Sequence, residues 1–584
     1  MMLDTIIKDG EVYDGSGAAS RRCDVGIKND RIVAVGDITE SANQVIDAEG
    51  AIVTPAWVDI HTHYDGQVTW DSAMDPSASH GVGTVVMGNC GVGFAPVAPN
   101  GEQDLIDLME GVEDIPGTAL HEGMPWGAWE SYPEYLNFLA ERNYALNISS
   151  LCPHGAVRNY VMGERGRANE AATEDDLAAM SHLVEEALNA GAVGFSTSRI
   201  LGHRSIHGEP VPGTFANDAE VMSIAHAMRR ADRGVFQIIP SSTLGPGRPG
   251  MNEHASLADE IKLIANVSRT SGRPATFTLF QIDDWAHHWR EALDQVKAAN
   301  VDGAQIYPQV GSRPTGLVFC IDTYHPWMLK PTFKRLKNLS PTERRRRLQE
   351  PAIKAALLNE TSDLNNVQLG SMAFALSQVE LNFANIFALH GRSSYEPTRD
   401  ESFAAMAARR NVTPAELLYD HLTATPANMS ITFFTNYSEY HLDAVHEMQL
   451  DPCTVTGLSD AGAHVSLIFD AVNPTYQLTY WSRDRLRGNR LPLSHVIHRA
   501  TQRNARLFGF ADRGLLAPGM KADINLIDYD RLSLGELNLC RDLPAGGTRL
   551  LQNAIGYVGT WIDGVRTRRD DADTGARPGR LLRS

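Results

Sequence analysis

The stretch that decides the fold is Trp57-Val58-Asp59-Ile60-His61-Thr62-His63-Tyr64-Asp65. It completes an apolar run with the length and composition of a short buried β-strand. Side chains two residues apart on a strand point to the same side, so His61 and His63 would project together from the end of this strand. Neutral imidazole is a common ligand for divalent transition metals, and a pair on one rigid strand is already aimed at a shared ion. The alternative is that these are two ordinary histidines at a strand end.

Eight short apolar runs with the features of buried strands alternate with amphipathic helical patterns through the middle of the chain. The predicted strands are Val53–Ile60, Gly83–Met87, Ala145–Ser150, Ala192–Thr197, Gly234–Ile239, Pro274–Phe280, Ala304–Pro308 and Thr454–Leu458. The helical patterns include Thr173–Ala190, Asp218–Arg230, Ala255–Ser271 and Asp284–Ala299. Eight alternations predict an α/β fold of the (β/α)8 TIM barrel type, in which chemistry belongs to the loops at the carboxyl ends of the strands.

The rival fold is a doubly wound open sheet, which would carry a nucleotide on a glycine-rich turn. One GxGxxG match runs from Gly245 to Gly250. It contains two prolines, which lack the amide donors that a phosphate needs, so we interpret it as a plain loop.

The two ends of the chain resemble each other and differ from the middle. Both carry short alternating β patterns separated by turns. We expect residues 1–55 and 515–584 to pair into one small β-sandwich, because neither stretch could bury a core alone. The barrel would occupy residues 56–514, with long inserted loops at about 98–144 and 313–400. Loops of that length in a compact domain are usually lids, binding loops or oligomer contacts.

The bulk composition excludes several functional classes. Lys and Arg total 52 against 71 Asp and Glu, a formal charge of −19, which is the wrong sign for a general nucleic-acid binder. No run reaches the ~18–20 apolar residues of a membrane span, and we see no signal peptide. The six cysteines are scattered without a CxxC pair, so we expect a cytoplasmic protein with reduced thiols. A homo-oligomer that uses the 313–400 insertion stays open.

Two further candidate ligands follow other predicted strands. Asp460 comes directly after the eighth strand and would project into the same mouth as the histidine pair. A carboxylate beside a divalent ion stays ionised, so it can bind the metal, accept a proton from water, or both. Cys90 ends the second strand between glycines, and its thiolate would be a strong zinc ligand. The structural alternatives are a helix cap for Asp460 and an inert buried thiol for Cys90.

Basic side chains follow three more of the predicted strands and are candidate contacts for a small-molecule substrate. His154 follows the third strand, where it could steady a developing oxyanion. Arg199 and His203 follow the fourth strand and Arg313 the seventh, and the planar fork of arginine suits a substrate carboxylate. Each of these residues could equally pair with a local acid.

The motifs together resemble the amidohydrolase superfamily. The resemblance rests on the terminal β patterns, the histidine pair, Asp460 and the segment Asp512-Arg513-Gly514-Leu515-Leu516-Ala517-Pro518-Gly519-Met520-Lys521-Ala522-Asp523. Within that superfamily, Gly88-Asn89-Cys90-Gly91 and Gly191-Ala192-Val193-Gly194-Phe195-Ser196-Thr197 are similar to the N-acyl-D-amino-acid deacylase (D-aminoacylase) branch. The likeness covers essentially the whole chain. It implies one metal position on the histidine pair and Asp460, with Cys90 available to bridge a second.

Two departures from that branch change the expected metal count. The branch carries a histidine at the end of strand five and another at the end of strand six, where this chain has Ile239 and Leu279. Other superfamily members bridge two metals through a carboxylated lysine after strand four, but this chain has no lysine between Lys28 and Lys262. We therefore expect a single-metal site, with zinc as the ion.

The expected activity is metal-dependent hydrolysis of a carbon–nitrogen amide bond, in an N-acyl (D-)amino acid or a related amide. Asp460 would take a proton from the attacking water and return it to the leaving nitrogen, while His154 or the metal steadies the oxyanion. The alternatives are hydrolysis of another amide, a cyclic amide or an ester, a lyase or deaminase on the same barrel, or a non-catalytic scaffold.

Overall fold

The computed structural model describes residues 2–244, 255–283, 285–365, 367, 381–389 and 395–584. The interpreted loop from Gly245 to Gly250 and part of the 313–400 insertion lie outside the described residues. Strands and helices are intermixed along the chain, as expected for the mixed α/β class.

A series of short parallel strands occupies the middle of the chain. These strands are Trp57–Asp59, Val82–Met87, Asn147–Ser150 with its continuation Cys152–Pro153, Gly194–Ser198, Val235–Ile239, Ala275–Phe277, Gln309–Val310 and Val455–Thr456. Parallel ladders join strands one to three, three to six, and seven to eight. Single parallel bridges connect Thr278 with Gln309 and Thr62 with Ala461. Each strand is thus paired with its predecessor and its successor, and the last returns to the first.

The seventh strand lies later in the chain than its apolar run predicts. The run at Ala304–Pro308 contributes one bridge, from Ile306 to Ala275, and the ladder begins only at Gln309. Pro308 has no amide hydrogen to donate, so regular pairing starts after it.

Helices fill the connections between the parallel strands. The α-helices are Glu102–Glu113, Gly117–Gly123, Tyr132–Ala140, His154–Met162, Glu164–Arg167, Glu174–Ala190, Asp218–Ala231, Leu257–Ser271, His288–Val301, Pro331–Leu336, Pro341–Leu348, Pro351–Asn359, Phe403–Arg410, Pro414–Ala424, Asp443–Leu450, Asn473–Thr479, Leu493–His498 and Asn504–Leu507. Thr173, Asn217 and Ser256 each cap a predicted helix by accepting a bond from the amide three residues on. The helix predicted from Asp284 begins instead at His288.

Strands from both ends of the chain share one nine-stranded sheet. Its members are Leu3–Val12, Arg21–Lys28, Arg31–Gly36, Ala42–Asp47, Ile52–Pro55, Ile524–Ile527, Tyr557–Ile562, Val565–Arg569 and Ala572–Asp573. The two ends meet where Ile52–Pro55 pairs antiparallel with Ile524–Ile527. Ile7, Val25 and Trp561 belong to the apolar cluster that this sheet buries. Small hairpin pairs lie nearby, at Ser533–Leu534 with Ala554–Ile555 and Asn538–Cys540 with Arg549–Leu551.

The two insertions have their own secondary structure. The first, at 98–144, is largely helical, and Trp129 packs against Tyr135 and Phe138 inside it. The second contributes short helices and a three-stranded antiparallel sheet of Gly316–Phe319, Ser430–Phe433 and Ile386–Ala388. Among the described residues, every helix is too short or too polar to cross a lipid bilayer.

Candidate metal centre

The histidine pair and Cys90 form a buried cluster at the ends of the first two parallel strands. Cys90 Sγ lies 3.3 Å from His61 Nε2 and 3.8 Å from His63 Nε2. In the part of the chain that the structure describes, this is the one group of three or more potential ligands that could hold a metal ion. The strand period of two places both imidazoles on the same side, as the sequence predicts.

Asp460 adds a fourth donor to the same side of the histidines. Its Oδ1 lies 3.4 Å from His61 Nε2 and 3.8 Å from His63 Nε2. Four ligands at ~2.0–2.3 Å from one tetrahedral zinc are separated from each other by about 3.3–3.8 Å. The measured separations match this range, so the donors fit a divalent metal ion.

The loop that carries Asp460 has an unusual backbone. Leu458, Asp460 and His464 have φ values of 64°, 49° and 50°, a left-handed conformation that side chains other than glycine seldom adopt. The Asp460 amide donates to the His61 carbonyl at 3.1 Å, and the side chain of Asn473 donates to the Leu458 carbonyl at 2.8 Å. These bonds hold the loop in a conformation that turns Asp460 towards the histidines.

Gln309, on the seventh strand, orients His61. Its Oε1 lies 2.8 Å from His61 Nδ1, and because an amide oxygen only accepts, Nδ1 carries the proton. The lone pair of His61 is then on Nε2, which is the atom that faces Cys90 and Asp460. Such a partner on the second ring nitrogen fixes both the tautomer and the plane of a ligating imidazole.

Glu113 plays the corresponding part for His63, and the sequence analysis missed it. Its Oε1 lies 3.4 Å from His63 Nδ1, and its Oε2 lies 3.5 Å from His464 Nε2. Glu113 ends the helix Glu102–Glu113 of the first insertion, and it is buried. The signal was present in the sequence, because Glu113 continues the apolar stripe that runs through Leu105 and Met109 at a spacing of four.

Burial dominates the electrostatics of the cluster. It raises the pKa of the Cys90 thiol well above its usual value, and the nearby Glu113 and Asp460 carboxyls raise it further. Burial likewise raises the pKa of Glu113 and of Asp460, each also next to other acids. The pKa of His61 falls to about 4 for the same reason. A divalent cation would supply the opposite charge that favours the ionised thiolate and carboxylate and the neutral imidazoles.

Comparison with known proteins decides the family. Residues 44–568 match the Amidohydrolase family. The chain belongs to that family. A hydrolase of the amidohydrolase type, acting on carbon–nitrogen bonds other than peptide bonds, was the expectation from the sequence, and this match confirms it.

Individual relatives support the D-aminoacylase branch. The D-aminoacylase of Alcaligenes xylosoxydans xylosoxydans is 36% identical over 196 residues, which are 33% of this chain and 37% of that protein. A solved D-aminoacylase, described as having a binuclear metal centre, is 22% identical with a TM-score of 0.64. The N-acyl-D-glutamate deacylase of Bordetella bronchiseptica, solved with zinc and a phosphonate inhibitor, is 23% identical with a TM-score of 0.64. Both comparisons cover 100% of each chain, and at that identity they show a shared fold alone.

Two of the predicted catalytic or binding residues of this amidohydrolase are already paired elsewhere. His154 Nδ1 lies 2.8 Å from Thr197 Oγ1, and its Nε2 lies 3.0 Å from Glu220 Oε1. Arg199 donates to Glu260 at 2.9 Å and also to the Ala216 carbonyl. Neither residue hydrogen-bonds to the metal-ligand cluster, and their proposed roles stay predictions.

His203 and Arg313 lie in a different situation. His203 Nδ1 lies 3.0 Å from Ser198 Oγ, and its pKa falls to about 3 through burial and the nearby His464 and His61. Arg313 donates twice to Asp470 Oδ1, at 2.9 and 2.7 Å, and its guanidinium lies 4.0 Å from the centre of the Tyr395 ring. Its remaining nitrogen, Nη1, is buried and has no hydrogen-bond partner among the described residues.

The fifth and sixth strands bring no histidine to the cluster. Ile239 and Leu279 are buried in the main apolar core. On the fifth strand the residue that reaches the cluster is Gln237, whose Oε1 accepts the Cys90 amide at 3.0 Å. Gln237 shares a face with Ile239 by the strand period, so an amide and an aliphatic group line this wall of the site.

Proposed function

We propose that this chain is a metal-dependent amidohydrolase with one zinc ion held by His61, His63, Cys90 and Asp460. The observation that carries the proposal is the convergence of these four side chains at separations suited to a single ion. The apolar ends of strands five and six offer no ligand for a second ion. The solved D-aminoacylase of the same fold is described in terms of one-metal activation and second-metal attenuation.

The architecture that holds this centre is, in our proposal, a closed (β/α)8 barrel flanked by a β-sandwich of both termini. The return of the parallel series from the eighth strand to the first, through Thr62 and Ala461, supports closure. The shared sheet of both chain ends supports the flanking unit. We assign residues 1–55 and 515–584 to that unit and residues 56–514 to the barrel.

In the proposed reaction a bound divalent ion polarises the amide carbonyl and activates water for attack. Asp460 accepts the proton that the attacking water loses and returns it to the leaving nitrogen. His61 and His63 are held as neutral ligands by Gln309 and Glu113. His154 steadies the developing oxyanion only after one of its two existing hydrogen bonds is released.

We propose that the substrate is an N-acyl amino acid and that Arg313 contacts its carboxylate. The two pairs with Asp470 fix the guanidinium plane, and the unpartnered Nη1 keeps one donor for a bound molecule. Arg199 and His203 are proposed as further contacts on the fourth-strand side. The 36% identity to a D-aminoacylase supports an N-acyl-D-amino acid as the first substrate to test.

The remaining parts of the proposal rest on the sequence. The net charge of −19 argues against a nucleic-acid partner, and the scattered cysteines argue for a cytoplasmic location. Self-association through the 313–400 insertion is proposed on its length.

The test combines metal analysis with product analysis. The purified protein should hold about one zinc per chain and release free amine from one hand of a panel of N-acyl D- and L-amino acids. Hydrolysis of a cyclic amide or an ester, with none of the N-acyl amino acids, would overturn the substrate assignment. A folded protein that binds no divalent ion would overturn the proposal as a whole and favour a non-catalytic scaffold.

A further inference from the structure

The first insertion reaches the metal centre through one side chain, Glu113. Its two carboxylate oxygens face two different imidazoles, His63 at 3.4 Å and His464 at 3.5 Å. The side chain is almost completely buried, and in the described structure no arginine or lysine pairs with it. A buried carboxylate costs free energy unless it is hydrogen-bonded, so these two imidazoles are the groups that justify its position.

The helix that carries Glu113 is fixed at several points, so the carboxylate cannot easily swing away. The main-chain amide of His464 donates to the Glu113 carbonyl. The next residue, Asp114, accepts from Ser466 at 3.0 Å and from Tyr324 at 2.8 Å. Earlier in the helix, the Asp107 carbonyl accepts from the Ile206 amide at 3.1 Å. The helix therefore spans the gap between the loop after the fourth strand and the loop after the eighth.

We infer that Glu113 is a positioning residue that fixes two imidazoles of the site at once. It accepts a proton-bearing nitrogen from His63 and another from His464, which leaves His63 Nε2 for the metal. The same contact leaves His464 Nδ1 as a hydrogen-bond acceptor, and that atom is buried without a partner among the described residues. The inference rests on the proposed one-metal function and adds a role for the insertion helix.

His464 then becomes a substrate contact oriented by the insertion. It lies four residues after Asp460, on the same left-handed loop. With its Nε2 proton directed at Glu113, its Nδ1 can accept a hydrogen bond from an amide N–H of the bound substrate. The insertion therefore sets the orientation of one metal ligand and of one substrate contact through a single carboxylate.

The test uses Glu113→Gln and Glu113→Ala in the full chain, with Asp114→Ala as the matched control. Asp114 is also a buried acid at the end of the same helix, but its partners are a serine and a tyrosine. We expect Glu113→Ala to weaken zinc binding about 10–100-fold, the usual effect of removing the hydrogen-bond partner of a ligating histidine, and to change the absorption spectrum of the Co²⁺-substituted protein. Asp114→Ala should retain wild-type zinc affinity and the wild-type Co²⁺ spectrum.

Glu113→Gln separates positioning from general stability. The glutamine has one acceptor oxygen, so it can serve His63 or His464 but not both. We expect zinc affinity between those of the wild type and the alanine variant, with KM raised by a larger factor than kcat is lowered.

If both Glu113 variants fold and keep the wild-type zinc affinity and Co²⁺ spectrum, the positioning role is wrong. The positioning role is also refuted if Asp114→Ala loses zinc as readily as Glu113→Ala, because the effect would then be general loosening of the helix. Failure of the wild-type protein to bind zinc would instead refute the proposed function, so the two failures are distinguishable.

Discussion

Gly457 lies directly beside the amide that orients His61, so a single methyl group there tests the organisation of the metal centre. A Cβ at position 457 would lie 2.6 Å from Gln309 Oε1, whereas ordinary contact begins at 3.4 Å. The amide oxygen must therefore move by about 0.8 Å, the difference between those distances. The bond it makes to His61 Nδ1 is 2.8 Å long, and bonds of this type lose most of their strength beyond about 3.2 Å. Gly457→Ala should break it.

The expected consequence is a loss of zinc affinity rather than a loss of fold. Removing the partner of a ligating histidine typically weakens metal binding about 10–100-fold, which is ~1.4–2.8 kcal/mol. Gly457 does not have a left-handed backbone conformation, so alanine fits the chain there. Replacing a glycine in such a position stabilises a protein by about 0.4–1 kcal/mol through the unfolded state, which offsets part of the local strain.

The assay is the zinc dissociation constant, measured by competition with a chromophoric chelator, alongside the thermal unfolding of the metal-free protein. Gly311→Ala is the matched control, because its added Cβ would meet no atom closer than 3.8 Å. The control should bind zinc as the wild type does. If Gly457→Ala also binds zinc with wild-type affinity, then Gln309 does not govern His61 and the orientation argument is refuted.

Three further outcomes follow from the site. Asp460→Asn should lower kcat by about 10²–10⁴-fold while most zinc is retained, because the amide keeps an oxygen but cannot hold the transferred proton; near-normal turnover would show that another group is the base. Arg313→Lys should raise KM for carboxylate-bearing substrates with a smaller change in kcat, since lysine can still pair with Asp470 but lacks the fork; an unchanged KM would remove Arg313 from the substrate site. Chelation of the metal should lower Tm, and zinc should restore it by a stabilisation of about 2.7 kcal/mol at a hundredfold excess over Kd; a Tm that ignores both treatments would contradict a metal bound only by the folded state.

Much of the metal centre could be predicted from local patterns. The two-residue period of a strand put His61 and His63 on one side, and the carboxyl ends of neighbouring parallel strands brought Cys90 and Asp460 to them. The pairing of the two chain ends also followed from sequence, because alternating strands without a core of their own must find a partner. These inferences depend on regularities that repeat within a few residues.

The partners of those side chains depended on tertiary structure. Glu113 stands 50 positions after His63 in the sequence and reaches it only because an insertion helix packs across two loops. Gln309 meets His61 because the seventh strand begins after Pro308, a register that the apolar run did not predict. Which acid neutralises Arg313 was equally undetermined until Asp470 was brought beside it.

The physical reason is the range of the interactions. Helix and strand periods, turns and caps are set by neighbouring residues, so a sequence reveals them directly. Hydrogen bonds between buried side chains need two elements to pack at one distance and one register, and that is settled by the whole core at once. The sequence by itself determined which side chains hold the proposed metal ion. Only the tertiary structure decided which side chains hold those ligands in place.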